Sequence, residues 1–309
     1  MDKVLLSYLE HLCGRENVGE NVLLSGKTTF RIGGPARYFV TVPTKEILLR
    51  LISALRYIEQ RYFIIGMGSN VLASDAGFNG VVIKLGFNEI LDNGCFIYAD
   101  AGVRLSQLCT FAGKNGLSGL EFAYGIPATV GGAVYMNAGA YGGSMSDVVI
   151  MVDVLAEGEM ITLEGRDLRF SYRNSVFQGK PDWVILGAYF FLKPDDPSKI
   201  IARGKENLTK RRATQPAEPN AGSVFKRMPS SSSIYRDNDV EFIPSKVIDE
   251  LGLKGTRIGD AEVSTKHAGF IVNKGSATAK DVKRLIRLIK RKIREKHGVK
   301  LVCEIKELK

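Results

Sequence analysis

Residues 125–143 read Gly125-Ile126-Pro127-Ala128-Thr129-Val130-Gly131-Gly132-Ala133-Val134-Tyr135-Met136-Asn137-Ala138-Gly139-Ala140-Tyr141-Gly142-Gly143, and this stretch constrains the fold most. Glycines and alanines set beside hydroxyls and an amide point to backbone in close approach to a bulky ligand; tight packing of a buried turn is the plainer alternative. Upstream, Ile64-Ile65-Gly66-Met67-Gly68-Ser69-Asn70-Val71-Leu72 is an apolar strand running into glycines and small polar residues. Such a turn can offer N–H groups to a pyrophosphate. It lacks the third glycine and the following helix of the dinucleotide fingerprint, so an ordinary strand-end turn fits it equally well.

Working outward, no internal repeat intervenes, and short strands alternate with helices, which gives a mixed α+β class. An N-terminal helix leads to a strand at 29–42 broken at Gly33-Gly34-Pro35, a helix capped by Thr44 and running through residue 56, and strands at 62–65 and 81–85. These make a first unit, 1–87. Strands at 96–99, 148–155, 160–163 and 184–192 surround a helix at 105–114 and make a second, 88–197, closed by Asp195-Asp196-Pro197. A helix at 198–212 and the proline-marked Gln215-Pro216-Ala217-Glu218-Pro219 open a third, 198–299. It holds a helix at 244–251, a strand at 269–272 and a long basic helix capped near Thr278. A last strand at 301–305, within 300–309, is expected to return to the first unit.

With 45% hydrophobic and 25% charged residues in 309, the composition is that of a globular protein and excludes disorder and fibre. The longest apolar stretches are broken by Arg50, Arg56 or Asp153, short of the ~20 residues a membrane helix needs. No membrane insertion is expected, and with no basic region followed by an apolar core at the N-terminus a cytoplasmic location is expected. Cys13, Cys95, Cys109 and Cys303 are scattered, and only His11, His267 and His297 accompany them. This excludes a disulfide framework and leaves no support for a metal site, so the chemistry is expected to run on an organic cofactor. A net charge of +10 favours anionic partners, either phosphorylated small molecules or nucleic acid. In 280–300 the apolar Val282, Leu285, Ile286, Ile289 and Ile293 recur at helical spacing, so the lysines and arginines there read as a solvated helix face and not as an RNA-binding surface.

Three further segments carry residues suited to an acid-assisted reduction: Ser171-Tyr172-Arg173-Asn174-Ser175, Asn220-Ala221-Gly222-Ser223-Val224-Phe225-Lys226, and Glu304 among Leu301 to Ile305. Arginine binds carboxylates bidentately, serine can pass a proton, and a carboxylate in an apolar strand invites a raised pKa. Each has a bland counterpart: a surface ion pair, a turn residue, the solvent face of an edge strand.

Read in order with Ser264-Thr265-Lys266-His267-Ala268-Gly269-Phe270-Ile271-Val272-Asn273, these segments resemble the UDP-N-acetylenolpyruvoylglucosamine reductase family over about residues 28–304. The resemblance implies a two-part FAD-binding region of the vanillyl-alcohol-oxidase (PCMH-type) fold and a C-terminal α+β substrate-binding domain. It implies non-covalent FAD, NADPH as reductant and a UDP-sugar enolpyruvyl ether as substrate. Carried over by motif, Gly66, Gly68, Ser69 and Asn70 line the flavin pyrophosphate, Ile126, Pro127, Gly131 and Gly132 touch the cofactor, and Arg31 and Arg212 are its neighbours. Arg173 and Glu304 stabilise charge on the substrate, Ser223 donates a proton, and Tyr141, Gln215, Lys226, Lys254 and His267 contact substrate. Help from Lys226 to Ser223 requires a bend after Gly222, since residues 223 and 226 of a regular strand face opposite ways. A monomer is expected.

Two departures mark the chain. Ala128 stands where the family often has glycine, and after Lys226-Arg227 the chain runs from Met228 to Asp239 before rejoining the family pattern near Ile243, so an exposed, mobile loop is expected at 228–242. The short interval from Arg173 to Ser223 excludes the tyrosine-bearing loop of the longer family form, so the chain resembles the short, second type. Two rivals remain: an oxidase on the same flavin fold, which would often tether FAD through histidine or cysteine, and a basic binding module without catalysis.

Overall fold

A computed structural model describes residues 2–228 and 241–309. The chain forms two compact units: Met1–Val22, Ala36–Met67 and Asn79–Arg211 make the first, and Leu23–Pro35, Gly68–Phe78 and Arg212–Lys309 the second.

In the first unit a sheet runs in the order Val18–Leu23, Pro35–Val42, Phe78–Leu85, Tyr62–Ile65, the last pair parallel. Its helix Lys45–Tyr57 starts at Thr44, whose side chain accepts the Ile47 N–H, and buries Leu48, Leu51, Ile52 and Leu55 at the spacing of one helical face. An antiparallel sheet follows in the order Glu159–Glu164, Val149–Ala156, Val184–Phe191, Phe96–Asp100, Ile90–Asn93. One continuous apolar core serves both sheets. At its edge the buried Asp100 carboxylate accepts Lys45 Nζ at 2.8 Å and the Tyr98 hydroxyl at 3.0 Å, so the charge is paired where burial alone would be costly.

The glycine-rich connection is stitched to residues 101–105. Leu105 N–H donates to Ala128 O at 2.9 Å, Val130 N–H to Val103 O at 2.8 Å and Gly131 N–H to Ala101 O at 3.0 Å. Directly after Thr129 the chain turns into the helix Val130–Tyr135, capped by that threonine through the Gly132 N–H.

In the second unit a sheet of Asn220–Ser223, Phe270–Asn273, Ala261–Val263 and Arg257–Ile258 packs with helices Pro244–Glu250 and Ala279–His297. The basic helix is capped by Thr278 and Asp281 and buries Val282, Leu285, Ile286, Ile289 and Ile293 in a core that also takes in Phe30, Ile32 and Leu72.

Two local expectations are corrected. The strand expected over 29–42 begins only at Pro35, because Arg31 and Gly33 are left-handed at φ 56° and 138° and break the extended run. The final strand is Lys306–Leu308, parallel to Val71–Ala73, and not 301–305. Residues 301–305 make a single bridge, Phe225 to Cys303, before the chain changes partner. Of the loop expected at 228–242, residues 229–240 lie outside the described residues; on either side Met228 and Phe242 exchange main-chain hydrogen bonds. No helix among the described residues is long and apolar enough to cross a membrane.

Candidate functional site

In the first unit Arg173 sits in the turn 171–174, closed by Ser171 N–H to Asn174 O at 3.1 Å and Asn174 N–H to Ser171 O at 3.0 Å. Its backbone is left-handed, φ 52°, as is that of Asn137 at 41° and Tyr141 at 51°. Such conformations persist where neighbours over-determine them, and they gather at functional sites. The neighbours are visible. Buried Asn137 donates Nδ2 to Ser171 O at 3.0 Å and accepts Ser146 N–H at 2.9 Å; Gln178 donates Nε2 to Arg173 O at 2.9 Å. Buried Ser175 donates Oγ to Tyr135 O at 2.7 Å. The half-buried Arg173 guanidinium donates Nη2 to Gly139 O at 2.8 Å and lies 5.3 Å from the Tyr172 ring centroid.

Arg211, which the motifs did not single out, belongs with this group. Burial is the main influence on its guanidinium and holds its pKa below the ordinary value; Tyr141 opposes the shift and the Arg173 charge adds to it. Three groups suited to an anion thus gather around one turn. Arg212, the next residue, is exposed, and its carbonyl accepts Lys266 Nζ at 2.6 Å. Consecutive helical positions differ by about 100° in direction, so only one of the two turns inward.

The glycines of the flavin segments divide by what a Cβ would meet. At Gly66 it would stand 2.6 Å from Thr129 Oγ1, and at Gly131 2.9 Å from Ala101 Cβ, so protein packing explains both. At Gly68, φ 62°, it would meet Lys27 O at 2.5 Å. Gly132 differs: it is exposed inside a helix, and its Cβ would meet only Thr129 Oγ1, at 3.4 Å. A helix-interior glycine costs about 1 kcal/mol, and no internal neighbour demands this one. It leaves the backbone open at this position. Ile126 is half-buried and Pro127 exposed beside it.

In the second unit the segment after Ser223 pairs with the segment that bears Glu304. Glu304 N–H donates to Val224 O at 2.8 Å and Lys226 N–H to Val302 O at 2.9 Å, so two short runs pair antiparallel. Gly222, at φ 77°, lies in an irregularity of the pairing between Asn220 and Ser223, and its N–H donates to Asn220 Oδ1 at 2.9 Å. This irregularity precedes Ser223; between Ser223 and Lys226 the chain bends at Val224. Ser223 and Glu304 are both half-buried, and Val302, expected to shield Glu304, is 41% exposed, so the apolar surround read from sequence is one-sided. Lys306, two residues on from Glu304, was also missed. Its pKa lies below the ordinary lysine value, first through burial and then through the Lys226 charge. No periodic signal marks it, because the chain bends at Ile305, between Glu304 and Lys306.

The remaining positions of this unit are more peripheral. Arg31 is exposed and left-handed; Gln215 is half-buried. Lys254 pairs with Asp249 at 2.5 Å. His267 accepts the Gly269 N–H on Nδ1 at 3.0 Å, and burial, then Lys254 and Arg227, lower its pKa against an opposing main-chain bond and Asp249. Ser69 is half-buried, and Asn70 donates Nδ2 to Glu304 O at 3.2 Å.

Residues 36–164 match the family described as "FAD binding domain". Fold, open glycine backbone and this match define a flavin-dependent oxidoreductase of α+β class. Residues 215–308 match "UDP-N-acetylenolpyruvoylglucosamine reductase, C-terminal domain". The reductase of that name from Pseudothermotoga lettingae is 44% identical over 278 residues, covering 90% of this chain and 93% of its own. That of Caldanaerobacter subterraneus subsp. tengcongensis is 40% identical over 309, covering 99% and 98%. The crystal structure of the Thermus caldophilus reductase superposes with a TM-score of 0.78 at 37% identity, covering 94% of this chain and 98% of that one. The chain belongs to the UDP-N-acetylenolpyruvoylglucosamine reductase family.

Proposed function

We propose that this protein reduces the enolpyruvyl ether of UDP-N-acetylglucosamine to UDP-N-acetylmuramate, a step of peptidoglycan precursor synthesis, in the cytoplasm and as a monomer, with NADPH as reductant. The working division is an FAD-binding region in two parts, 1–87 and 88–197, and a substrate-binding region, 198–299, with 300–309 returning to the first part. Residues 66–70 line the pyrophosphate with main chain, and Ile126, Pro127 and the open face of Gly132 receive the ring system; Arg31 and Arg212 complete the cofactor contacts. FAD held there and reduced by NADPH would supply hydride chemistry toward the methylene carbon.

As a C–H bond forms at that carbon, the π pair moves onto the carboxylate-bearing carbon and its carboxylate, and catalysis requires that this charge meet fixed positive or acidic groups. Arg173 binds the carboxylate, and Arg211 adds a second guanidinium at the same turn. Glu304 in its protonated form holds a proton toward the developing charge. Ser223 Oγ gives its proton to the carbon, and the alkoxide left behind is stabilised by the lysines of its own unit, Lys226 and Lys306. Tyr141, Gln215, Lys254 and His267 hold the sugar nucleotide.

The observation that carries the reading is the hydrogen bond from Glu304 N–H to Val224 O, 2.8 Å, which sets the carboxyl-bearing residue beside the one after Ser223. Replacement Ser223→Ala tests it by separate half-reactions. NADPH should still bleach the flavin at the original rate, while recolouring by the enolpyruvyl substrate slows about 10³-fold. Recolouring at the unsubstituted rate would falsify the proton-donor role.

A further inference from the structure

Glu304 is the point at which the chain leaves one partner for another. Its N–H is engaged by Val224 O at 2.8 Å in the antiparallel run, and two residues later Lys306 N–H donates to Asn70 O at 2.9 Å to begin the parallel strand. The Glu304 carbonyl lies between these two ladders. It is taken by a side chain: Asn70 Nδ2 at 3.2 Å. Asn70 therefore grips the chain twice, with its carbonyl oxygen on Lys306 and its side-chain amide on Glu304. The loop that carries it is itself held, since Thr29 N–H donates to Gly68 O at 3.3 Å. Thr29 Oγ1 donates in turn to Asn220 O at 2.7 Å, and Asn220 Oδ1 accepts the N–H of Gly222, next to Ser223.

From this we infer that Asn70 is a positioning residue for Glu304: its side-chain amide fixes the peptide after Glu304 and so sets the direction of the carboxyl, while the main chain of the same loop remains available to the cofactor. The inference rests on the role given to Glu304 above. It assigns the Asn70 side chain to the protein's own catalytic strand, not to the pyrophosphate. Loss of this amide removes one of the bonds that fix the peptide after Glu304, and misplacement of a reacting group by about 1 Å is enough to cost on the order of 100-fold in rate.

Asn70→Ala removes the donor without adding a charge beside the pyrophosphate. In the holoenzyme, recolouring of the NADPH-bleached flavin by the enolpyruvyl substrate should slow roughly 10- to 100-fold. FAD affinity, measured by flavin fluorescence, and the rate of bleaching should stay within about threefold, and in a Glu304→Gln background the same replacement should cost less than about threefold more. Exchange of the Lys306 amide in the FAD-free protein should remain slow, because that bond uses the Asn70 main chain. A tenfold or greater loss of FAD affinity with unchanged recolouring at saturating FAD would move the side chain to the cofactor and overturn the inference; so would losses that multiply in the double variant. Glu304→Gln alone, turning over at the full rate, would sink the role of Glu304 itself. Asn70→Asp, of the same shape, is the second variant, and failure of both to fold would assign the amide to stability alone, which also overturns the inference.

Discussion

The two units hold the residues proposed for catalysis by different means. In the first, Arg173 projects from a four-residue turn with a left-handed backbone, and that turn is fixed by side chains from elsewhere, Asn137 and Gln178, reaching its carbonyls. In the second, Ser223 and Glu304 project from paired main chain, and the fixing bonds run from Glu304 N–H to Val224 O and from Lys226 N–H to Val302 O. A main-chain rung survives almost any substitution at its own position; a side-chain brace does not survive its own replacement. Residues bearing the chemistry of the second unit should thus be removable without loss of fold, whereas the first unit should be vulnerable at residues that touch no substrate.

The largest effect expected from this contrast is kinetic and carries almost no cost in stability. Glu304→Gln should lower turnover by about 10³-fold while the thermal midpoint stays within what a surface change produces, about 0.5 kcal/mol. Steady-state rates beside thermal melts decide it, and a large drop in the midpoint would show that the carboxyl side chain braces its own ladder. Next in size is Asn137→Ala. It removes a buried donor and acceptor at once and puts alanine at φ 41°, for roughly 3 kcal/mol in chemical denaturation. Turnover should fall with it, since the Arg173 turn loses its brace. If stability falls and the rate per folded molecule does not, the turn is over-determined by its remaining bonds.

How much of this contrast was legible beforehand follows the range of the interactions. The helix Leu105–Lys114 and the strand Tyr62–Ile65 have the bounds that hydrophobic periodicity predicts, because a local pattern decides them. Gly125 to Gly143 announced close backbone approach, but not that Gly131 meets Ala101 while Gly132 meets almost nothing, since the partner lies some thirty residues away in the sequence. Likewise the strand read at 301–305 is displaced to Lys306–Leu308 because its partner, Val71–Ala73, is far along the chain and sets the register. Arg211 and Lys306 escaped notice for a plainer reason: among 43 lysines and arginines, only burial separates a working cation from a solvated one.

A smaller effect sharpens the comparison inside the second unit. Gly222 is left-handed at φ 77°, and a Cβ there would meet Ser69 O only at 4.0 Å, so Gly222→Ala meets backbone strain and no clash. The cost should be about 1 to 2 kcal/mol, readable in denaturant midpoints, with proton transfer by Ser223 slowed because the irregularity that aims it is disfavoured. An unchanged rate would mean that the rungs at Val224 and Lys226 alone place the hydroxyl.

The smallest effect concerns acid. Glu121 in the first unit accepts Arg203 Nη2 at 2.6 Å, Ser118 Oγ at 2.8 Å and Gly119 N–H at 2.7 Å. Burial works against its ionised form, but the Arg203, Gly119 and Ser118 donors outweigh it and hold the carboxyl below its ordinary value. The folded state therefore binds this proton more weakly than the unfolded chain. Its contribution is fully present above the ordinary glutamate pKa of about 4.3 and is lost as pH falls through the lower, folded value. Here again the brace is a side chain, because Arg203, on the helix Pro197–Thr214, also reaches Asp195 at 2.7 Å and ties three segments of one unit. Thermal midpoints should fall between pH 5 and 3, and Glu121→Gln should remove part of that slope, a difference on the order of 2 °C. If the replacement leaves the slope as steep as before, the ionised carboxylate is not what Arg203 holds, and the side-chain bracing of the first unit rests on the Arg173 turn alone.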